Sequence, residues 1–126
     1  MQYALLIYNP DDDVAGQAQR EMDPGIAAAL ERPEVAGFIR LHAAGSATTV
    51  HYREGGTLLT DGPFIDSKEF LGGVILIDAD NLDEALALAC ELTEVRPGCV
   101  VAIEVRPVRE APVREAPVRE QEISGA

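Results

Sequence analysis

The sequence predicts an α+β fold of ferredoxin-like type, a two-layer sandwich that carries an inserted β-hairpin. Two apolar runs, residues 2–8 and 72–78, are typical of buried central strands. Strand-like and helix-like segments follow one another in the order strand, helix, strand, hairpin, strand, helix, strand. A sheet with helices packed on one face satisfies this order with short connections.

Length, charge and composition exclude several classes of protein. The 126 residues fit one domain, and a hydrophobic fraction of 47% supplies its core. A formal net charge of −12 disfavours binding to nucleic acid or to an anionic membrane surface. No apolar run approaches the roughly 20 residues that span a bilayer, and the N-terminus does not resemble a secretory signal. We therefore predict a cytoplasmic protein that binds neither membrane nor nucleic acid.

A helical pattern spans residues 14–32 after the first strand. Proline removes a helical hydrogen bond and clashes with the preceding turn, so Pro24-Gly25 is predicted to divide this helix into two pieces. Asp23 is expected to cap the second piece, with Pro24 at its first helical position. The residues of that piece that face the core are predicted to be Ile26, Ala27 and Leu30.

The middle of the chain predicts a strand and then a hairpin. Residues 37–42 form one strand-like run, and residues 47–53 form another that is rich in β-branched side chains. The glycines within residues 54–56 turn the chain back into residues 57–60, which predicts an antiparallel hairpin.

The second half predicts a capped helix between two strands. Residues 66–69 resemble a capping box for about one helical turn, and Gly72-Gly73 opens the second buried strand. Asn81 begins a stronger capping signature, and Cys90 is expected to be buried in the helix that follows. The final strand is predicted over residues 99–105. In the helix that begins at Asn81, the inner face is predicted to carry Leu82, Ala85, Leu86, Ala89 and Thr93.

The composition changes after residue 106, where the domain of residues 1–106 is predicted to end. The sequence Pro-Val-Arg-Glu recurs at Pro107, Pro112 and Pro117. We interpret residues 107–126 as an extended and mostly disordered tail, because its charge and regular proline leave little to bury. The repeat is either a peptide duplication without a role or a docking arm.

The central strands are apolar on both sides, whereas the predicted helices form only one layer. The other face of the sheet must therefore be covered by something else. A second copy of the chain, with the two sheets packed face to face, is the economical solution. The sequence thus predicts a homodimer.

One aspartate, Asp61, and one histidine, His42, are candidates for a catalytic or ligand-binding site. Asp61 precedes Gly62-Pro63, where its carboxylate can either define the turn by accepting backbone hydrogen bonds or face a ligand. His42 ends a strand beside a glycine-containing loop. It is either an ordinary strand-end histidine or a general base that Asp61 orients. His51, on the hairpin, is expected to face solvent.

Tyr8 and Arg40 are candidates for ligand binding. Tyr8 lies at the end of a central strand, where ligands often bind, and Arg40 can fix a carboxylate. The alternatives are a tyrosine at the edge of the core and an arginine that faces water. Because the chain lacks a phosphate-binding loop, a nucleophile elbow and a cluster of metal ligands, no cofactor and no metal are predicted.

Six short blocks, in order along residues 1–107, resemble the YCII-related superfamily and specifically its DGPF subgroup. The blocks are residues 5–8, 47–50, 59–64, 68–73, 83–85 and 104–107. The resemblance implies a dimeric α+β barrel with a cleft between sheet and helices. It also implies a link to extracytoplasmic-function sigma factors in bacteria. In some members a histidine and an aspartate are proposed as an acid/base pair.

Only one of those two residues has a counterpart in this chain. Asp61 matches the family aspartate, whereas residues 14–32, where relatives carry the histidine, contain none. The leading hypothesis is therefore a small dimer of unassigned activity that binds a small organic molecule in a sheet–helix cleft, in a sigma-factor-linked regulatory context. The alternatives are an acid/base enzyme of lyase or isomerase type, which uses Asp61 with or without His42, and a structural or protein-interaction dimer.

Overall fold

The computed structural model describes residues 1–10, 22–65, 68–95 and 100–110. Neither described helix combines the length and the apolarity that a membrane crossing needs. The described part contains strands, helices and one 3₁₀ turn, Ala44–Ser46. The strands and helices are β1 Gln2–Asn9, α1 Pro24–Leu30, β2 Val35–Arg40, β3 Thr48–Arg53, β4 Gly56–Asp61, β5 Phe70–Asp78, α2 Leu82–Val95 and β6 Ala102–Pro107.

The main sheet has the strand order β2-β5-β1-β6, and every neighbouring pair is antiparallel. This α+β arrangement is compatible with the predicted ferredoxin-like fold. The two most apolar strands, β1 and β5, lie at the centre, as the sequence predicts. The hairpin of β3 and β4 forms a separate two-stranded sheet. The last strand includes Pro107, and Val108 N–H donates to the Gln2 carbonyl. The domain boundary at residue 106 stays a prediction.

The core lies between one face of the main sheet and the helices. Strand alternation places Tyr3, Leu5 and Ile7 of β1 on this face, together with Ile75 and Ile77 of β5, and all five are buried. Burial of these side chains is the main favourable contribution to folding. Helix α2 contributes Ala85, Leu88, Ala89 and Leu92 to the same cluster.

The inner face predicted for α2 is partly wrong. Leu82 and Leu86 are exposed, and the buried row instead includes Leu88 and Leu92. The buried residues follow Ala85 at spacings of three, four and seven, and Leu86, one residue after Ala85, points to a different side of the helix. Cys90 is exposed rather than buried, because it lies two residues from Leu88 and so on the opposite side of the helix.

The predicted starts of α1 and α2 are confirmed. Asp23 Oδ1 accepts a hydrogen bond from Gly25 N–H at 2.8 Å, and proline occupies the first turn of α1. Asn81 Oδ1 accepts from Glu84 N–H at 3.0 Å, and the Glu84 carboxylate accepts from Asp80 N–H at 3.0 Å.

Other details of the helices and the final strand differ from the sequence prediction. Helix α1 buries Ala29, and Ile26 and Leu30 pack against the core as predicted, whereas Ala27 does not belong to the cluster. The final strand starts at Ala102. Parts of the predicted elements lie outside the described residues, namely residues 14–21, 66–67, 96–99 and 111–126.

The opposite face of the main sheet carries no described helix, and we call it the helix-free face. It presents Leu6, Val74 and Leu76, which are half-buried, and Ile39, which is 59% exposed. The one-sided helix layer is what the sequence predicts. Cover by a second copy stays a prediction.

Gly73 allows the edge strand β2 to approach the centre of the sheet. A Cβ atom at this position would lie 2.9 Å from the carbonyl oxygen of Ile39 and 3.7 Å from Phe38 Cε1. The first distance is too short for a real contact, and the obstacle is backbone. Any side chain here would push β2 away from β5.

Gly73→Ala is expected to destabilise the protein by about 1–3 kcal/mol, because overpacking moves a backbone strand. Gly37→Ala is the matched control, since its added Cβ would meet only Leu76 Cβ at 4.0 Å. Urea unfolding at one fixed protein concentration measures both variants. Equal stability of the two variants would contradict the close approach of β2.

Candidate functional site

A cavity of about 800 Å³ lies where β1 ends and β5 begins. Tyr8 of β1 lines it and pairs with Ala102 of β6, which also lines it. Because Ile7 faces the core, strand alternation places Tyr8 on the helix-free face. The apolar lining residues are Leu41, Ala43, Ala44, Ala47, Pro63, Ile65, Phe70, Leu71, Val101 and Ala102.

This cavity lies apart from the sheet–helix cleft that the family resemblance implies, and that cleft stays a prediction. Neither α1 nor α2 contributes a lining residue. In the part of the chain that the structure describes, the space between sheet and helices holds the packed core. The physical reason is that the helices bring small and branched apolar side chains onto β1 and β5, and these interdigitate.

The segment after β2 forms one wall of the cavity. Leu41 N–H donates to the Gly72 carbonyl at 2.8 Å and so extends the contact of β2 with β5. The 3₁₀ turn then follows, closed by Ser46 N–H and Ser46 Oγ, which both donate to the Ala43 carbonyl. The neighbouring alanines have short side chains, and this leaves open space rather than a filled core.

The Asp-Gly-Pro turn forms the opposite wall. Gly62 has φ of 97°, a left-handed conformation that favours glycine. In this conformation Gly62 N–H donates to the Ala47 carbonyl at 2.7 Å, and the Gly62 carbonyl accepts from Thr49 Oγ1 at 2.7 Å. These two hydrogen bonds tie the turn to the other wall and hold Pro63 and Ile65 at the cavity.

The sequence allowed the Asp61 carboxylate to define this turn by accepting backbone hydrogen bonds, but the turn is built from other groups. Among the described residues, the Asp61 carboxylate has no hydrogen-bond partner, and the side chain is exposed. Backbone groups of Gly62 and the Thr49 hydroxyl define the turn instead. The positive φ of Gly62 directs its amide toward Ala47, so no carboxylate is required to close the turn.

Four polar side chains line the cavity, and these are Tyr8, His42, Ser46 and Glu69. His42 is exposed, and its imidazole makes no hydrogen bond to any residue that the structure describes. A neutral imidazole offers one donor and one acceptor. His42 is therefore available to a bound molecule.

The Tyr8 hydroxyl connects the cavity to a charged pair on β6. It donates a long hydrogen bond of 3.4 Å to Glu104 Oε1, and Arg106 Nε donates to Glu104 Oε2 at 2.7 Å. The hydrogen bond and the charge of Glu104 raise the pKa of Arg106. This contact gives the Tyr8 ring a preferred orientation at the cavity.

The structure brings together two of the four predicted site residues. Tyr8 and His42 both line the cavity, whereas Asp61 and Arg40 do not. No hydrogen bond joins His42 and Asp61. Arg40 lies opposite Gly73 and, by alternation, on the face of β2 that carries Phe38.

Sequence reasoning missed the polar residues that tertiary structure brings to the site. Glu104 alternates with the inward-facing Ile103 and Val105, and this alternation was a signal for its place on the helix-free face.

His51 of the hairpin is half-buried rather than solvated as was expected from the sequence. Its Nε2 lies 3.1 Å from Thr60 Oγ1, and its ring centroid lies 5.5 Å from that of Phe64.

The chemistry of the cavity is that of a small apolar site with a few hydrogen-bonding groups. Within the described ranges, no group of three His, Cys, Asp or Glu side chains is placed to hold a metal ion. The lining can enclose an apolar molecule and offer it hydrogen bonds from the imidazole and the phenol.

The chain is similar to a known protein family and to a protein of another organism. A family model described as a YCII-related domain matches residues 1–109. An uncharacterised protein from Rhizobium meliloti (strain 1021) is 38% identical over 116 residues, which cover 86% of this chain and 92% of that protein. The family match runs from β1 through β6 and so includes both walls of the cavity.

Thr49→Val is expected to reduce stability by about 0.5–1.5 kcal/mol, because it removes the hydrogen bond to the Gly62 carbonyl and leaves the carbonyl without this donor. Thr49→Ser keeps the hydroxyl and serves as the control. Urea unfolding of both variants measures the difference. If Thr49→Ser loses as much stability as Thr49→Val, the hydroxyl does not hold the turn.

Proposed function

The chain belongs to the YCII-related family, and on that premise we propose that it is a small homodimer that binds a small organic molecule beside Tyr8 and His42. The observation that carries this proposal is the cavity itself. Its volume of about 800 Å³ and mostly apolar lining suit a small-molecule site. We assign the protein to the DGPF subgroup on the sequence around Asp61.

His42 is the side chain that we expect to contact the ligand most directly. Its ring is exposed at the cavity and has no partner among the described residues. A ligand hydrogen bond there would replace water without breaking a contact within the protein. Tyr8, by contrast, already donates to Glu104, so its hydroxyl is best placed to accept a hydrogen bond.

A homodimer supports this function because the cavity lies on the helix-free face. The exposed Ile39 and the half-buried Leu6, Val74 and Leu76 form an apolar surface beside it. Contiguous apolar surface of this kind marks an interaction site. A partner on this surface would also exclude water from the cavity.

An acid/base enzyme of lyase or isomerase type is the second candidate. The observation in its favour is that Tyr8, His42 and Glu69, three groups that can exchange protons, line one cavity. The sequence predicts Asp61 as the acid/base group, either alone or together with His42. Asp61 takes part only if a bound substrate bridges it to the cavity, because it lies outside the lining and has no hydrogen bond to His42.

A protein-interaction dimer is the third candidate, and the predicted partner is a bacterial sigma factor. Support for this partner comes from the resemblance to the DGPF subgroup around residues 59–64. Co-purification with an extracytoplasmic-function sigma factor, together with the absence of any ligand from a binding screen, would favour it over the first two.

A thermal-shift screen with small phenols, carboxylic acids, amides and amines tests ligand binding. We expect at least one compound to raise the melting temperature of the wild type, because binding to the native state stabilises it by mass action. Ala102→Phe, which places a ring inside the cavity, is expected to abolish that shift.

Ala87→Phe on the exposed side of α2 is the matched control and is expected to keep the shift. A compound that stabilises both phenylalanine variants equally binds elsewhere. The absence of any stabilising compound across the four chemical classes would contradict the proposed function.

Asp61→Asn and His42→Ala separate binding from catalysis. For a binding module, a stabilising compound should shift Asp61→Asn as much as the wild type, and the shift of His42→Ala should be smaller. Nuclear magnetic resonance spectra of the compound incubated with the protein detect any conversion. Conversion by the wild type that disappears in Asp61→Asn would establish the enzyme instead.

A further inference from the structure

We propose that the β3–β4 hairpin is a dimerisation arm that packs on the helix-free face of a second copy of the chain. The proposal rests on the homodimer of the proposed function and names the surface that forms it. The hairpin patch is defined as Val50, Tyr52 and Leu59.

The hairpin patch is a continuous apolar surface that no other described residue covers. Val50 lies directly opposite Leu59 in the strand pairing, and Tyr52 follows Val50 on the same face. Their exposed fractions are 65%, 64% and 78%. Three large neighbouring side chains with such exposure form a patch that is typical of an interaction site.

The hairpin also lacks the support that a stable sheet needs. In the described part of the chain, β3 and β4 pair only with each other, so both outer edges are free. A two-stranded hairpin is marginally stable in water. Its turn places Glu54 at φ of 53°, a left-handed conformation that is unfavourable for a residue with a Cβ atom. Contact with another surface would offset these costs.

The hairpin does not cover the helix-free face of its own chain. Its described attachments are at its root, where Gly62 contacts Ala47 and Thr49, and where His51 packs on Phe64. Its strands make few contacts with the four strands of the main sheet. Among the described residues, nothing therefore covers the hairpin patch or the helix-free face.

A second copy is the partner that matches both surfaces. In a two-fold dimer each hairpin patch covers the helix-free face of the other chain, and the pairing closes on itself. Charge favours these surfaces, because two chains that each carry −12 repel one another elsewhere. The hairpin patch contains no charged residue. On the helix-free face Glu104 is paired with Arg106, and the exposed Asp78 lies at the end of β5.

Sedimentation velocity of substituted chains tests the arm. The wild type is expected to sediment as a dimer with twice the 13.5 kDa mass of one chain. Leu59→Asp and Ile39→Asp, one on each proposed surface, should each raise the dimer dissociation constant about tenfold or more, because each buries a charge.

Leu58→Asp is the matched control, because this neighbouring leucine is 47% exposed and lies on the other face of the hairpin. It is expected to leave the dissociation constant nearly unchanged. Circular dichroism and thermal unfolding establish that each variant is folded.

A second measurement does not depend on a destabilising charge. In a Cys90→Ser, Cys99→Ser background, the thiols of Leu59→Cys and Leu58→Cys are labelled with Ellman's reagent. The Leu59→Cys thiol should react more slowly in the dimer and recover its rate on dilution, whereas the Leu58→Cys rate should not change.

A wild-type monomer would overturn both the dimer and the arm. A dimer that Ile39→Asp weakens and Leu59→Asp does not, with equal labelling rates, would overturn the arm alone.

Discussion

The described part of the structure depends on a layer of helices that covers only one face of a four-stranded sheet. Leu5 and Ile75 are fully buried beneath α1 and α2, whereas Leu6 and Val74, their neighbours along the same strands, point away from the helices. Strand alternation makes this unavoidable, because successive side chains face opposite sides of a sheet. A central strand that is apolar at nearly every position therefore requires cover on both faces, and the described residues of one chain supply it on one. The candidate cavity and the proposed dimer surface both lie on the uncovered side.

The Asp-Gly-Pro turn connects that sheet to the hairpin, and its role is mainly geometric. The left-handed conformation of Gly62 turns its amide toward Ala47 and its carbonyl toward the Thr49 hydroxyl. One turn thereby shapes a cavity wall and also fixes the direction in which the hairpin projects. The exposed Asp61 adds charge next to this joint without holding it together. This arrangement explains how a short motif can be structurally important even though its carboxylate lies outside the cavity lining.

The sequence predicted features that depend on local pattern. The apolar runs placed β1 and β5 at the centre, and Asn81 with Glu84 marked the start of α2. It failed where the answer depended on distant packing. Which side of α2 meets the sheet could not be read from a helix with leucines on several faces, so Leu82, Leu86 and Cys90 were misplaced. The family resemblance implied a cleft between sheet and helices, whereas the cavity of the described residues forms where alanines of the 43–47 segment meet the Asp-Gly-Pro turn. That meeting depends on hydrogen bonds between residues distant in sequence.

The central claim is that a second copy of the chain covers the helix-free face. Its most direct test is a search for intermolecular nuclear Overhauser effects in a mixture of methyl-labelled and unlabelled protein. The account predicts intermolecular contacts to the methyl groups of Leu6, Ile39, Val74 and Leu76, and none to those of Leu5, Ile75 and Ile77 in the core. A folded protein in which the helix-free methyl groups show no intermolecular contact at millimolar concentration would contradict it.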